Sequence, residues 1–343
     1  MDINDIQNRL RSLGAGPLHE TAILRAWLAA RALDADALPQ MVRPPAAVCA
    51  GLPALARELA DLATVRSEHA GDDGSARLLL DLADGQMIES VLLPRDGVCV
   101  STQVGCAVGC VFCMTGRDGL RRQLTDTEIV AQVVLARARR PVKKVVFMGM
   151  GEPAHNLDAV MSAIELLATI GGIGQKNLVF STVGDRRVFE RLPQGPVRPA
   201  LALSLHSSDA ALRAKLLPRA PHITPEELVE LAERYARATH YPIQYQWTVL
   251  EGVNDTDAEL DGIVRLLAGK YAVMNLIPYN AVEGSPFSRP AAARAEAMSY
   301  YLYQRGILTK LRQSAGQDIS GGCGQLRARA VRWKRSVVSG GDE

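Results

Sequence analysis

The chain has 343 residues, 48% of them hydrophobic, which suits one large domain with attachments or two domains. A formal charge of +2 excludes a strongly basic chain, so any affinity for nucleic acid has to come from local patches. No apolar run approaches the roughly 20 residues of a membrane span, the start MDINDIQNRLRSLG lacks the apolar core of a secretion signal, and six cysteines are too few for a disulfide scaffold. A cytoplasmic enzyme is expected, with thiols as metal ligands, redox groups or buried side chains.

Residues 1 to about 70 read as helical, from the apolar spacing in ETAILRAWLAARAL and LPALARELADLA, with a break at Pro44 and Pro45. ARLLLDLADGQMIESVLLP then predicts a β-hairpin turning at Asp84-Gly85. From about residue 96 strands and helices alternate. The strands are GVCVSTQ, KKVVFMGM, NLVFSTV, PALALSLH, PIQYQWTVL and AVMNLIPY, and ILTKLRQ offers one more. Thr125 with Glu128, and Thr224 with Glu227, have capping-box spacing, with Pro225 at a first helical position. Six βα units in series imply a parallel sheet, either doubly wound or a complete or partial barrel. The tail from Ser336 reads as frayed.

The chemistry begins at GCAVGCVFCMTG, where Cys106, Cys110 and Cys113 directly follow the first strand of the alternating part. A 4Fe–4S cubane has four irons, so three close thiolates leave one iron open to a small molecule. Gly105 and Gly109 allow the tight turns such a loop needs. Structural zinc is the weaker reading, because it takes four ligands and no second pair or close histidine is present. Further polar residues stand at strand ends: Gly151 and Glu152, Ser181, Ser204-Leu205-His206, and Asn280. If the strands are parallel, these groups converge with the cysteines on one rim. A carboxylate, hydroxyls, an imidazole and an amide there suit the ammonium, carboxylate, ribose and adenine of S-adenosylmethionine.

The C-x3-C-x2-C spacing resembles the signature of the radical S-adenosylmethionine (SAM) superfamily. Together with IESVLLP, CVSTQVGCAVGCVFC, MGMGEP, SLH, NLIPYN and CGQL, from Gln86 to Leu326, the chain resembles the RlmN/Cfr family of radical SAM RNA methyltransferases. The resemblance implies a partial (β/α)6 barrel over residues 96–315. An accessory, RNA-contacting region precedes it at 1–95, and a C-terminal segment at 316–343 carries Cys323. It implies a 4Fe–4S cluster on the three cysteines and S-adenosylmethionine at the strand-end residues.

It also gives roles to residues that read blandly alone. Cys323 implies the methyl carrier, Cys99 its partner thiol, and Glu89 a proton acceptor, although a hairpin Glu is ordinarily solvated and a strand Cys is ordinarily a buried hydrophobe. Cys49 has no counterpart. The implied reaction uses two cofactor molecules to methylate an adenosine ring carbon, C2 ahead of C8. It passes through a methyl-cysteine and a transient Cys99–Cys323 disulfide. The implied substrates are rRNA or tRNA, the electron source is an external donor such as flavodoxin or ferredoxin, and the protein is expected to act as a monomer.

The sequence departs from the family at Val183, where a small polar residue is usual, and at Ala281, where Pro is usual. Its N-terminal region is Ala/Leu-rich rather than basic. A divergent paralogue acting on another RNA or on a protein is therefore the second reading, and a non-catalytic iron–sulfur RNA-binding protein the third. The basic run RARAVRWKR (Arg327, Arg329, Arg332, Trp333, Lys334, Arg335) is a candidate RNA contact; RRPVKK precedes a strand and faces away from the rim.

Overall fold

The computed structural model describes residues 1–38, 42–282 and 284–328. Three helices come first: α1 (Ile3–Ser12), α2 (Pro17–Leu28) and α3 (Ala46–Asp61). Asp2 and Asp5 form a reciprocal cap on α1, Pro17 opens α2, and Pro45 immediately precedes α3.

The helical reading fails beyond α3. Residues Ala63–Ala70 form an edge strand, β1, antiparallel to β2 (Ala76–Leu82). The segment ATVRSEHA alternates between covered and exposed positions, and its polar face hides the strand signal. β2 turns at Asp84-Gly85 into β3 (Met87–Leu93), the expected hairpin. β3 runs antiparallel to β4 (Gly97–Cys99), with Val91 opposite Cys99.

A short antiparallel pair follows, β5 (Gln103–Gly105) and β6 (Leu120–Gln123), with the cysteine loop between its strands. Then come α4 (Asp126–Arg137), β7 (Lys144–Phe147), α5 (Leu157–Thr169), β8 (Leu178–Thr182), α6 (Arg186–Arg191) and β9 (Ala200–Ser204). The series ends with α7 (Ala210–Leu216), α8 (Pro225–Thr239), β10 (Ile243–Val249), α9 (Asp257–Leu267), β11 (Ala272–Pro278), α10 (Ala292–Gln304) and β12 (Thr309–Leu311).

One sheet runs β1-β2-β3-β4-β7-β8-β9-β10-β11-β12, and every neighbouring pair from β4 onward is parallel. A doubly wound sheet would reverse its strand order at a switch point. Here the order only advances and β1 does not pair with β12, so the architecture is a partial barrel extended by an antiparallel hairpin. Strands such as β9 (ALALS) are buried on both faces, and Phe147, Phe180, Tyr245 and Trp247 fill the core.

The Thr125–Glu128 box forms in both directions. Thr224 caps the Glu227 amide at 3.2 Å, but the Glu227 carboxylate pairs with Arg186 instead of reaching back. The N-terminal helices rest on α4: Asp126 accepts from the Ile3 amide at 3.1 Å, and Arg137 donates to the Leu28 carbonyl at 2.8 Å. No helix among the described residues is long and apolar enough to cross a membrane.

Candidate active site

The loop between β5 and β6 holds its cysteines on a tightly closed backbone. Gly105 sits at φ +79°, and a Cβ there would lie 2.0 Å from the Gly119 carbonyl oxygen, so only glycine fits. The Cys106 amide donates to that carbonyl at 3.1 Å and the Cys113 amide to Cys110 at 3.0 Å. The loop is tied outward as well: Val111 donates to the Leu216 carbonyl at the end of α7 at 3.1 Å, and Met114 to the Gly324 carbonyl at 2.7 Å.

Parallel strands place their C-terminal ends on the same side, and one cavity of about 150 Å³ opens there. Its wall includes Cys106, Cys110 and Cys113 from the loop, Gly151 and Glu152 after β7, Ser181 on β8, Ser204 and His206 at β9, and Cys323. Leu205 and Asn280 are absent from this wall. Leu205 is fully buried, its amide donating to Gln246 at 3.0 Å. Asn280 lies behind the wall, donating to Ser314 Oγ at 2.9 Å and to the Cys323 carbonyl at 3.0 Å. Gln246 and Thr248 of β10 and Tyr279 also line the cavity. The polar positions alternating through IQYQWTV were the signal for the first two.

Glu152 opens the turn into a short 3-10 helix. Its carboxylate accepts from the Ala154 amide at 3.1 Å and the Val183 amide at 2.9 Å. Burial nevertheless pushes it up to about 7, against the hydrogen bonds that favour its anion. His206 adopts a left-handed backbone at φ +59°. Asn254 holds its carbonyl at 2.7 Å, and the Thr248 amide donates to Nδ1 at 2.9 Å. Burial, then the nearby Arg213 charge, bring His206 down to about 3. The ring is therefore neutral, with its proton on Nε2. Phe112 of the cysteine loop meets the ring edge-on at 4.9 Å.

The cysteine donors fit an iron–sulfur cluster. Burial pushes Cys106 up to about 12 and Cys110 well above the usual thiol range, with neighbouring thiols adding to both. Such thiols become thiolates when a positive centre binds their sulfurs, which the irons of a cluster would supply. Among the described residues no three His, Cys, Asp or Glu side chains converge as ligands of a single ion would.

The segment carrying Cys323 is docked by its neighbours. Thr115 donates to the Leu326 carbonyl at 2.7 Å. Glu89, far from being solvated, is 1% exposed and ion-paired with Arg77. Its other oxygen accepts from the amides of Arg327 and Ala328 at 2.7 and 2.9 Å. Cys99 is buried and Cys323 exposed, and the two are not bonded to each other. Burial and then the neighbouring Cys323 raise the Cys99 thiol. Cys49 is partly buried, its thiol donating to the Pro44 carbonyl at 3.4 Å. Of the basic residues in that run, Arg327 lies within the described residues, paired with Asp118, and the others lie outside them.

A partial parallel barrel with three cysteines in the loop beyond its first strand defines a radical SAM protein, and the radical SAM superfamily pattern matches residues 100–264. A probable RNA methyltransferase of Aromatoleum aromaticum is 71% identical over 331 residues, covering 96% of this chain and 93% of its own. Another, of Pseudomonas aeruginosa, is 65% identical and covers 97% and 96%. The solved structure of a radical SAM methyltransferase from Sphaerobacter thermophilus superposes with a TM-score of 0.83 at 36% identity, covering 96% of this chain and 98% of its own. The chain belongs to the radical SAM superfamily and, within it, to the methyltransferase family that these relatives form.

Proposed function

We propose that the protein methylates a ring carbon of adenosine, C2 ahead of C8, in rRNA or tRNA, with Cys323 as the methyl carrier. The names of the relatives support an RNA substrate. The observation that carries the reading is the placement of Cys323 on the cavity wall with Cys113, with the Cys99 thiol as its neighbour.

Cys106, Cys110 and Cys113 would hold the 4Fe–4S cluster, and Gly151, Glu152, Ser181, Ser204 and His206 line the space that S-adenosylmethionine would take. When bound, the cluster supplies the single electron that splits S-adenosylmethionine and so makes hydrogen abstraction from a methyl group possible. The Cys323 thiolate attacks the sulfonium methyl of a first S-adenosylmethionine, an S–C bond forms, and S-adenosylhomocysteine leaves. His206 offers an Nε2 proton and Glu152 a carboxylate to the cofactor's polar groups. Asn280 and Leu205 shape the wall from behind.

After the base is joined to the carrier carbon, Cys99 attacks the Cys323 sulfur. The disulfide forms as the bond from the Cys323 sulfur to the carrier carbon breaks; its electron pair leaves with the base, and that carbon takes a proton to become the methyl group. Two electrons from an external donor restore both thiols. Glu89 is the proposed proton acceptor. It pairs with Arg77, and its bonds to the Arg327 and Ala328 amides must loosen as it takes the proton. The protein acts in the cytoplasm as a monomer, and residues 1–95 contribute RNA contacts.

Anaerobic protein incubated with methyl-labelled cofactor is expected to carry label on Cys323, read by peptide mass spectrometry. Unlabelled Cys323 with bound cofactor and intact iron defeats the carrier role. Nucleoside analysis of rRNA and tRNA with and without the gene then identifies 2-methyladenosine or 8-methyladenosine.

A further inference from the structure

α7 lies against the cysteine loop through the Val111–Leu216 backbone bond, and it brings a buried cation with it. Arg213 is 4% exposed. Its Nε donates to the Leu205 carbonyl at 3.2 Å, and its Nη2 donates to the carbonyls of Ser204, at 3.1 Å, and Val183. These described partners are three carbonyls and no carboxylate. A buried guanidinium without a counter-ion is costly unless negative charge stands nearby. Val183 and Ser204, whose carbonyls it binds, line the same cavity as Cys110 and Glu152, and burial lowers it to about 10, so it stays protonated at neutral pH. A second guanidinium, that of Arg219, lies against the loop: a Cβ on Gly109, at φ +64°, would lie 2.4 Å from its Nη2. Arg213 is not part of the cavity wall, so its charge reaches the site through space rather than by contact.

We infer that Arg213 is a positioning residue for redox chemistry: its fixed positive charge behind Cys110 raises the reduction potential of the iron–sulfur cluster held by the cysteine loop. The inference rests on the proposed cluster. Reduction adds one negative charge to a centre already carrying three thiolates. A cation held at fixed distance in a low-dielectric wall stabilises the reduced form more than the oxidised form. Lys keeps the charge but loses the three-carbonyl fork; Gln removes the charge and keeps part of the hydrogen bonding.

The test is redox titration of anaerobically reconstituted full-length protein with dithionite and mediators, the reduced cluster read by its electron paramagnetic resonance signal. At fixed ambient potential, Arg213→Gln is expected to lower the reduced-to-oxidised ratio about tenfold, equivalent to about 59 mV for a one-electron couple. Arg213→Lys is expected to stay within about twofold of the unsubstituted protein. S-adenosylmethionine Kd should be unchanged in both. Equal shifts in the two variants overturn the inference, because a structural role of the fork would move both. An unchanged ratio in Arg213→Gln overturns it too, and a weakened Kd assigns Arg213 to cofactor binding instead. If Arg213→Gln does not retain iron, Arg213→Met, which also removes the charge, is titrated in its place: a tenfold lower ratio supports the inference and an unchanged ratio overturns it. Absence of iron and sulfide from the unsubstituted protein fails the cluster reading itself, which is a separate result.

Discussion

Two loops bring cysteines to the same cavity, and they are built in opposite ways. The cysteine loop between β5 and β6 is closed by its own backbone, around positions such as Gly105 where no side chain fits. The Cys323 segment is held by groups reaching from elsewhere: Glu89, Thr115, Asn280 and the Met114 amide. The first arrangement yields only if the loop is remade. The second releases if a few hydrogen bonds break, each worth about 1 kcal/mol net. The contrast matches the proposed roles, since a cluster must stay fixed whereas a carrier must exchange partners.

The largest expected effect is on the docked segment. Glu89→Ala leaves Arg77 buried without its partner and frees the Arg327 and Ala328 amides. It should cost about 3–5 kcal/mol. Denaturant titration measures the loss, and Cys323 should alkylate faster while iron content stays normal. Loss of iron instead would erase the distinction between the loops. Gly105→Ala strikes the other side. Its Cβ meets the Gly119 carbonyl and its backbone is left-handed, for a loss of about 2–3 kcal/mol and poor iron retention on reconstitution. A full iron complement would show the loop to be less rigid than described.

His206 gives a smaller, pH-dependent effect. Its folded pKa, about 3, lies below the ordinary 6.5, so the unfolded chain binds more protons between those values. Stability present above pH 6.5 is therefore lost as pH falls through that window, by about 2 kcal/mol at pH 5. His206→Asn tolerates the left-handed backbone and removes the titration. Comparing the two proteins at pH 7 and 5 isolates the term, because Glu152, whose stability contribution runs the opposite way, is common to both. Parallel losses would mean that His206 is not held neutral. The smallest effect is Asn280→Ala, about 1 kcal/mol, with a moderate gain in Cys323 alkylation and no change at the other cysteines.

Much of the barrel was legible because its strands are buried on both faces and read as apolar runs bounded by helix caps. β1 was not, since one of its faces is polar and its pairing with β2 decides its conformation. β5 and β6 are too short to carry a pattern. At the site, the cysteine triplet and Gly151-Glu152 were legible because their chemistry is local in sequence. Arg213 and Asn254 were not, because each owes its role to neighbours distant in the chain. Glu89 shows the same limit from the other direction: alone it belongs in solvent, and its two oxygens are taken by Arg77 and by a segment 238 residues later.

That separation has a consequence for biogenesis. Every strand of the barrel precedes Cys323 in the chain, so during synthesis the barrel and its cysteine loop emerge first. Iron can be loaded onto three thiols before a competing thiol reaches the same cavity.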